Sequence, residues 1–270
     1  MQTPSDRKPS SVPIDPRPSA AAEVVVLAQV VLCRVLKLGL DRPAAEAHQT
    51  FFSAEGQQTL RRAVELLDPK PDGGLRRAQE RLAGRPAVGA QFLRDAYDRM
   101  FGHTLRGQVC PYECEYGKPG VFRQAQELAD LGGSYSAFGL QPHAAKHQRH
   151  DHIACQMEFL EFLAQKKLWA MQHGDAEMAE ITSGAFRQFL RDHTGRFGPV
   201  FAVALRRADP DGFYGALGAL LESFLTTICE QLGVETGPKT LQLRPDEPDT
   251  TPLACGTPDL LVQIGEGHDG

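Results

Sequence analysis

The sequence predicts an all-α protein, a compact multi-helix bundle, on three observations. Apolar residues recur at steps of three and four through most of positions 21–234. Pro falls between these stretches or at their starts, although Gly132-Gly133 lies inside one of them, and no segment alternates apolar with polar as a half-buried strand would. Val24, Leu27, Val31, Val35 and Leu38 mark one face of a first helix ending near Gly39. Weaker patterns cover 48–67 and 75–82, interrupted by Gly56 and by Pro69, Pro71, Gly73 and Gly74. Pro86 suits a first helical position, and Val88, Phe92, Ala96 and Met100 form a stripe beside Leu93, Tyr97 and Phe101. Val121, Ala125, Leu128, Leu131, Tyr135 and Phe138 step along the next helix to a stop at Gly139. From Asp151, a stripe of Ile153, Met157, Leu160, Ala164, Leu168 and Met171 is joined by Phe159, Phe162 and Leu163 on other faces, the mark of a central helix. The last two helices span 176–193 and 210–232; Asp209 is placed to cap the second, Pro210 to start it and Gly233 to end it.

Composition bounds the function. The 270 residues carry 34 acids against 29 Lys and Arg, a net charge of -5. The first 20 residues hold five Pro and four Ser, and residues 235–270 hold five Pro, five Gly and seven acids, so both ends are expected to be a flexible leader and a flexible tail. The tail accounts for -5 and the leader for +1, leaving 21–234 almost neutral; with no Lys/Arg run, a nucleic-acid partner is not expected. The longest apolar stretch, 24–40, contains Gln29, Arg34 and Lys37, too polar to span a membrane, and it follows a Pro-rich leader unlike a secretory signal. The chain therefore reads as cytoplasmic, without stable membrane insertion. Its six Cys are sparse and show no zinc-knuckle spacing, so reduced thiols are expected. The folded region divides into halves of about 21–139 and 150–234, joined by a loop at 140–150.

Three segments stand out. Tyr97-Asp98-Arg99-Met100-Phe101-Gly102 is followed by Pro111-Tyr112-Glu113-Cys114-Glu115-Tyr116; the loop from Leu140 to His150 runs into Asp151-His152-Ile153 and on to Met157-Glu158-Phe159-Leu160; and Phe197-Gly198-Pro199 leads to Asp209-Pro210 and Phe213-Tyr214. Their order and spacing, over roughly half the chain, resemble the TorD/DmsD/NarJ-type chaperones that mature molybdenum-containing oxidoreductases. Two departures are evident: the family's Glu-x-Pro-Asp-His is here Gln148-Arg149-His150-Asp151-His152, and Cys114 stands where the family often has Ser or Thr, giving a Cys110/Cys114 pair with a redox or metal role to consider.

The resemblance implies a TorD-like fold and a non-enzymatic, cytoplasmic protein. It would bind the twin-arginine signal peptide or the catalytic subunit of a molybdopterin oxidoreductase until the cofactor is inserted, needing no cofactor itself because the client carries the molybdopterin. A basic, then apolar peptide calls for an apolar groove with carboxylates at one end. Asp151 and His152 are the first candidates, with Glu113, Glu115 and Glu158 as further acids and Tyr97, Tyr112 and Tyr116 as amphipathic wall. The loop containing Pro142 and His150 is a candidate hinge. Monomer and domain-swapped homodimer both remain open. Each residue also has a plainer role: Asp151 as a helix cap, His152 as a first-turn histidine, Tyr97 and Phe101 as core.

The rival reading is metal chemistry. His143, His147, His150 and His152 fall within ten residues, with Cys155 one turn further on. His150-Asp151 also matches the core of an HD-type metal-dependent phosphohydrolase, with His103 and Asp175 or Asp192 as the required partners. A phosphate-cradling loop is absent, since 233–240 has the wrong glycine spacing and Pro238 before Lys239. The Asp259-to-Ile264 run in the tail is a short apolar segment able to dock on the body or on a partner.

Overall fold

The computed structural model describes residues 20–102, 107–117, 121–141 and 149–244. Within them the chain forms α1 (Ala20–Leu40), α2 (Ala45–Phe52), α3 (Ala54–Leu67), α4 (Gly74–Ala83), α5 (Ala90–Phe101), α6 (Val121–Ser136), α7 (Ile153–Gln172), α8 (Ala176–Phe189), α9 (Gly195–Ala208) and α10 (Phe213–Leu232). A 3-10 turn covers Glu113–Glu115 and a π turn Leu190–Thr194. No extended strand is present among the described residues; the only extended pairings there are single bridges between Tyr112 and His152 and between Tyr116 and Leu243. The all-α reading stands.

α7 packs along α1 on one side and α8 on the other; α1 also packs on α3, and α10 lies across α4 and α9. The central position expected for α7 is confirmed by Ile153, Met157, Leu160 and Leu163, all fully buried. Phe101, Phe201 and Tyr214 meet where α5, α9 and α10 converge, with Phe101 edge-on to Tyr214 at 5.5 Å.

Several boundaries differ from those the sequence suggests. The α1 stripe is rotated: Leu32, Cys33, Leu36 and Leu40 are fully buried, whereas Val24 and Leu27 are 40% and 48% exposed, because the helix is apolar on most sides and its neighbours choose the face. The break between α2 and α3 falls at Ser53, whose hydroxyl accepts the Gly56 N–H at 3.0 Å; Gly56 lies inside the first turn of α3. α5 starts at Ala90 and not at Pro86. Asp209 does serve α10, but from outside: the helix begins at Phe213, and Asp209 Oδ2 accepts the Tyr214 N–H at 2.9 Å.

α9 is an element the pattern did not indicate. Gly195, Gly198 and Pro199 disfavour a helix by themselves, yet the π turn carries α8 directly into this helix, with Gly195 N–H reaching back to Leu190 O. Pro199 is the fifth residue of α9, and the Gly195 carbonyl that it leaves without a helical donor accepts the Gly237 N–H at 2.9 Å instead. Gly198 is required for packing, since a Cβ there would sit 2.3 Å from Leu225 Cδ1 on α10. The chain also stays packed past 234, where a flexible tail was expected. Gly237 N–H donates to Gly195 O, Lys239 pairs with Glu222, and residues 242–244 lie antiparallel to 115–117. Arg244 is 6% exposed and bonds Glu127 at 2.7 Å.

Candidate functional site

The second signature segment is a buried knot. The Tyr112–His152 bridge brings the 107–117 loop against the start of α7, with Glu113 N–H donating to Asp151 O at 3.0 Å and Ile153 N–H to Pro111 O at 2.9 Å. Asp151 is completely buried. Its Oδ2 accepts the Cys114 backbone N–H at 3.1 Å, and Arg149 grips both its oxygens, at 3.0 and 2.7 Å. Arg149 also bonds Glu115 at 2.7 Å and lies 4.8 Å above the Tyr112 ring. Burial alone would weaken the Arg149 charge, but Asp151 and Glu115 outweigh it and hold the guanidinium firmly protonated.

Asp151 is therefore not the cap of α7. That role belongs to His152, whose Nδ1 accepts the Ala154 N–H at 3.1 Å. The ring is 1% exposed and edge-on to Tyr112, and burial lowers its pKa to about 3, so it is neutral. Glu113 faces inward as well, accepting from Gln156 Nε2 at 2.7 Å, with His193 Nδ1 at 3.4 Å; Gln156 Oε1 in turn accepts the Thr194 hydroxyl. A chain of buried polar groups thus ties the loop, α7 and the π turn together.

The aromatic candidates divide in the same way. Tyr116 is buried against Phe197, with its hydroxyl donating to Cys110 O at 2.9 Å. Tyr97 packs between Phe101 and Tyr214, as its plainer role proposed. Neither lines the α1/α7 cleft; Tyr116 instead lines a second concavity between the 107–117 loop, α9 and residues 239–243. Tyr112 is only half-buried, beneath Arg149.

The concave surface lies on the other side of the α7 start. A cleft of about 460 Å³ opens between the C-terminal end of α1, the end of α6 and the first three turns of α7. His150, Ala154, Cys155 and Glu158 form its near wall, and Tyr135, Leu140, Phe159 and Phe162 its apolar floor. Lys37, Asp41, Glu161 and Gln165 close the far end. Three carboxylates thus face one lysine. Of the candidates drawn from the sequence, Glu158 and His150 reach this cleft, whereas Asp151, His152, Glu113, Tyr97, Tyr112 and Tyr116 do not. Pro142, His143, His147, His103 and the 259–264 segment lie outside the described residues.

Lys37, Asp41, Glu161 and Phe162 are not among the site candidates that the sequence offers. Glu161 had a signal, being three residues after Glu158 and so on the same face of α7. Lys37 and Asp41 had none, since only the packing of α1 on α7 brings them there. Arg149 was noted only as part of a departure from the family pattern.

The metal and hydrolase reading finds no support in the geometry. Asp151 is committed to Arg149 and Cys114, the His152 Nδ1 lone pair to its cap, Asp175 to the α8 cap and Asp192 to Arg191. No group of three or more His, Cys, Asp or Glu among the described residues is placed to hold a metal ion. Cys110 and Cys114 are buried and unbridged; burial pushes the Cys110 thiol up to about 11 and Cys114 up as well, so neither has thiolate character. No described helix is long and apolar enough to cross a membrane.

The TorD chaperone of Vibrio cholerae serotype O1 (strain M66-2) is 27% identical over 180 residues, covering 66% of this chain and 75% of the relative. A perchlorate reductase assembly chaperone of Dechloromonas aromatica (strain RCB) is 24% identical over 214 residues, covering 76% of this chain and 90% of its own length. The family described as nitrate reductase delta subunit matches residues 65–203, which include the knot, α7 and most of α9. That match spans more than half of the 270 residues, and the chain belongs to this family of TorD/NarJ-type proteins.

Proposed function

We infer that this protein is a system-specific maturation chaperone that holds a segment of a molybdopterin oxidoreductase, its twin-arginine signal peptide or its catalytic subunit, during assembly. The observation that carries the reading is the cleft: an apolar floor of Tyr135, Leu140, Phe159 and Phe162 beside Asp41, Glu158 and Glu161, complementary to a basic then apolar segment. The relatives' names, a TorD chaperone and a perchlorate reductase assembly chaperone, support the same role. The activity is binding without covalent chemistry, in the cytoplasm, where such a client acquires its molybdopterin. The chaperone supplies no cofactor of its own. The knot at Asp151 and His152 acts indirectly, by fixing the start of α7 and so the near wall of the cleft.

The test is calorimetric titration of the protein with the signal peptides and the immature catalytic subunits of the molybdoenzymes encoded in the same genome. One client is expected to bind at micromolar affinity or tighter. Flat titrations with every peptide and every subunit would overturn the reading.

A further inference from the structure

Where α1 crosses α7, the cleft ends at a carboxylate that its own neighbours leave half satisfied. Glu161 is 6% exposed. Its Oε1 accepts from Gln165 Nε2 at 2.9 Å, but Oε2 is buried and takes no hydrogen bond. Among the described residues, the cation within ion-pair distance is Lys37, whose Nζ stands 3.8 Å from Oε2, too far for a hydrogen bond. Lys37 lies closer to Glu158, at 3.0 Å, although the Glu158 side chain is 53% exposed and has water as an alternative partner. The arrangement is not the one the protein's own stability favours, because a buried carboxylate oxygen without a donor is costly. Burial accordingly raises the Glu161 carboxyl, with Lys37 and Arg34 opposing.

A ligand can supply what is missing. Glu158 and Glu161 project from the same face of α7 into the cleft, which matches the planar fork of a guanidinium better than the single point charge of an ammonium. Asp41 adds a third negative charge at the same end. Phe159 and Phe162, on the floor of the cleft, offer apolar surface to the arginine stem and to an apolar neighbour in the same segment.

We propose that Glu161 is the residue through which the cleft selects arginine in a bound client segment, with Glu158 as the second arm and Lys37 as the resident counter-ion that the incoming guanidinium displaces. The proposal rests on the client-binding reading of the cleft and adds to it which carboxylate reads the basic residue and what must move.

The experiment titrates the full-length protein with three synthetic acetylated tetrapeptide amides, Arg-Arg-Phe-Leu, its lysine counterpart and its citrulline counterpart, the last isosteric with arginine but uncharged. The arginine peptide is expected to bind at least tenfold tighter than the other two. Glu161→Gln, nearly isosteric and able to fold as the parent does, should erase that preference, while Lys37→Met should tighten the arginine peptide severalfold. A preference unchanged in Glu161→Gln, no preference in the wild type, or flat titrations with all three peptides would overturn the proposal. Phe162→Ala separates the two levels. If it weakens binding while Glu161→Gln does not, the carboxylate's role fails and the cleft stands; if neither substitution has an effect, both fail. Binding that requires removal of residues 1–19, which contain Arg7 and Arg17, would make the chain's own leader the occupant and overturn the client.

Discussion

His152 shows how a residue that looks functional can be structural. Its Nδ1 lone pair caps α7, and full burial keeps the ring neutral, with a pKa of about 3 against 6.5 for the unfolded chain. Between those values the unfolded state binds the extra proton, so the contribution is complete above pH 6.5 and is lost as the pH falls. Wild-type protein is expected to lose about 2 kcal/mol more stability between pH 7 and pH 5 than His152→Asn, whose amide oxygen retains the cap without titrating. Urea denaturation at the two pH values measures this, and equal losses would contradict the assignment. Asp151→Ala removes the partner of Arg149 and the acceptor of the Cys114 N–H, and should destabilise by about 3–5 kcal/mol. Client affinity measured on the protein that remains folded should change far less than in a cleft variant. Both residues stand out in the sequence; their burial does not, because the segment that encloses them, Pro111 to Glu115, reaches them only through the fold.

At the scale of the element, the sequence was most legible where one face decides. α7 has core residues on several sides and was recognised as central, and α10 was recognised with only its first turn misplaced. α1 was found but rotated, since a helix apolar all round does not say which neighbour it will meet. α9 was missed because Gly195, Gly198 and Pro199 break helices in isolation. Here each is accommodated by a specific partner: the π turn before Gly195, the close passage of α10 beside Gly198, and the Gly237 N–H that takes the carbonyl Pro199 leaves free. Gly198→Val should therefore cost about 1–3 kcal/mol through overpacking against Leu225, read from the thermal midpoint, and Leu225→Ala should relieve part of the loss. Composition predicts a tail at 235–244, whereas its hold on the body comes from backbone pairing and from Arg244 on Glu127, which composition does not display. Arg244→Met should destabilise by about 1–3 kcal/mol in urea, and no change would mean that the backbone pairing alone suffices.

For the whole molecule, the fold separates two tasks that the sequence places in one short run. Residues 149–153 fasten the 107–117 loop to the central helix, and the next two turns of that helix, with the end of α1, shape an open acidic and apolar cleft. The rigid knot thus presets the wall against which a client segment lies, so the segment need not organise its own site. The second concavity, between the 107–117 loop and α9, is lined by the chain's own residues 239–243 and is not assigned to the client.

The most direct measurement is amide hydrogen exchange of the full-length protein with and without its bound client. The cleft account requires the added protection to fall in residues 36–41, 135–141 and 150–165, with the 107–117 and 239–244 segments little altered. Protection confined to those latter segments, with the α7 wall unchanged, would contradict it.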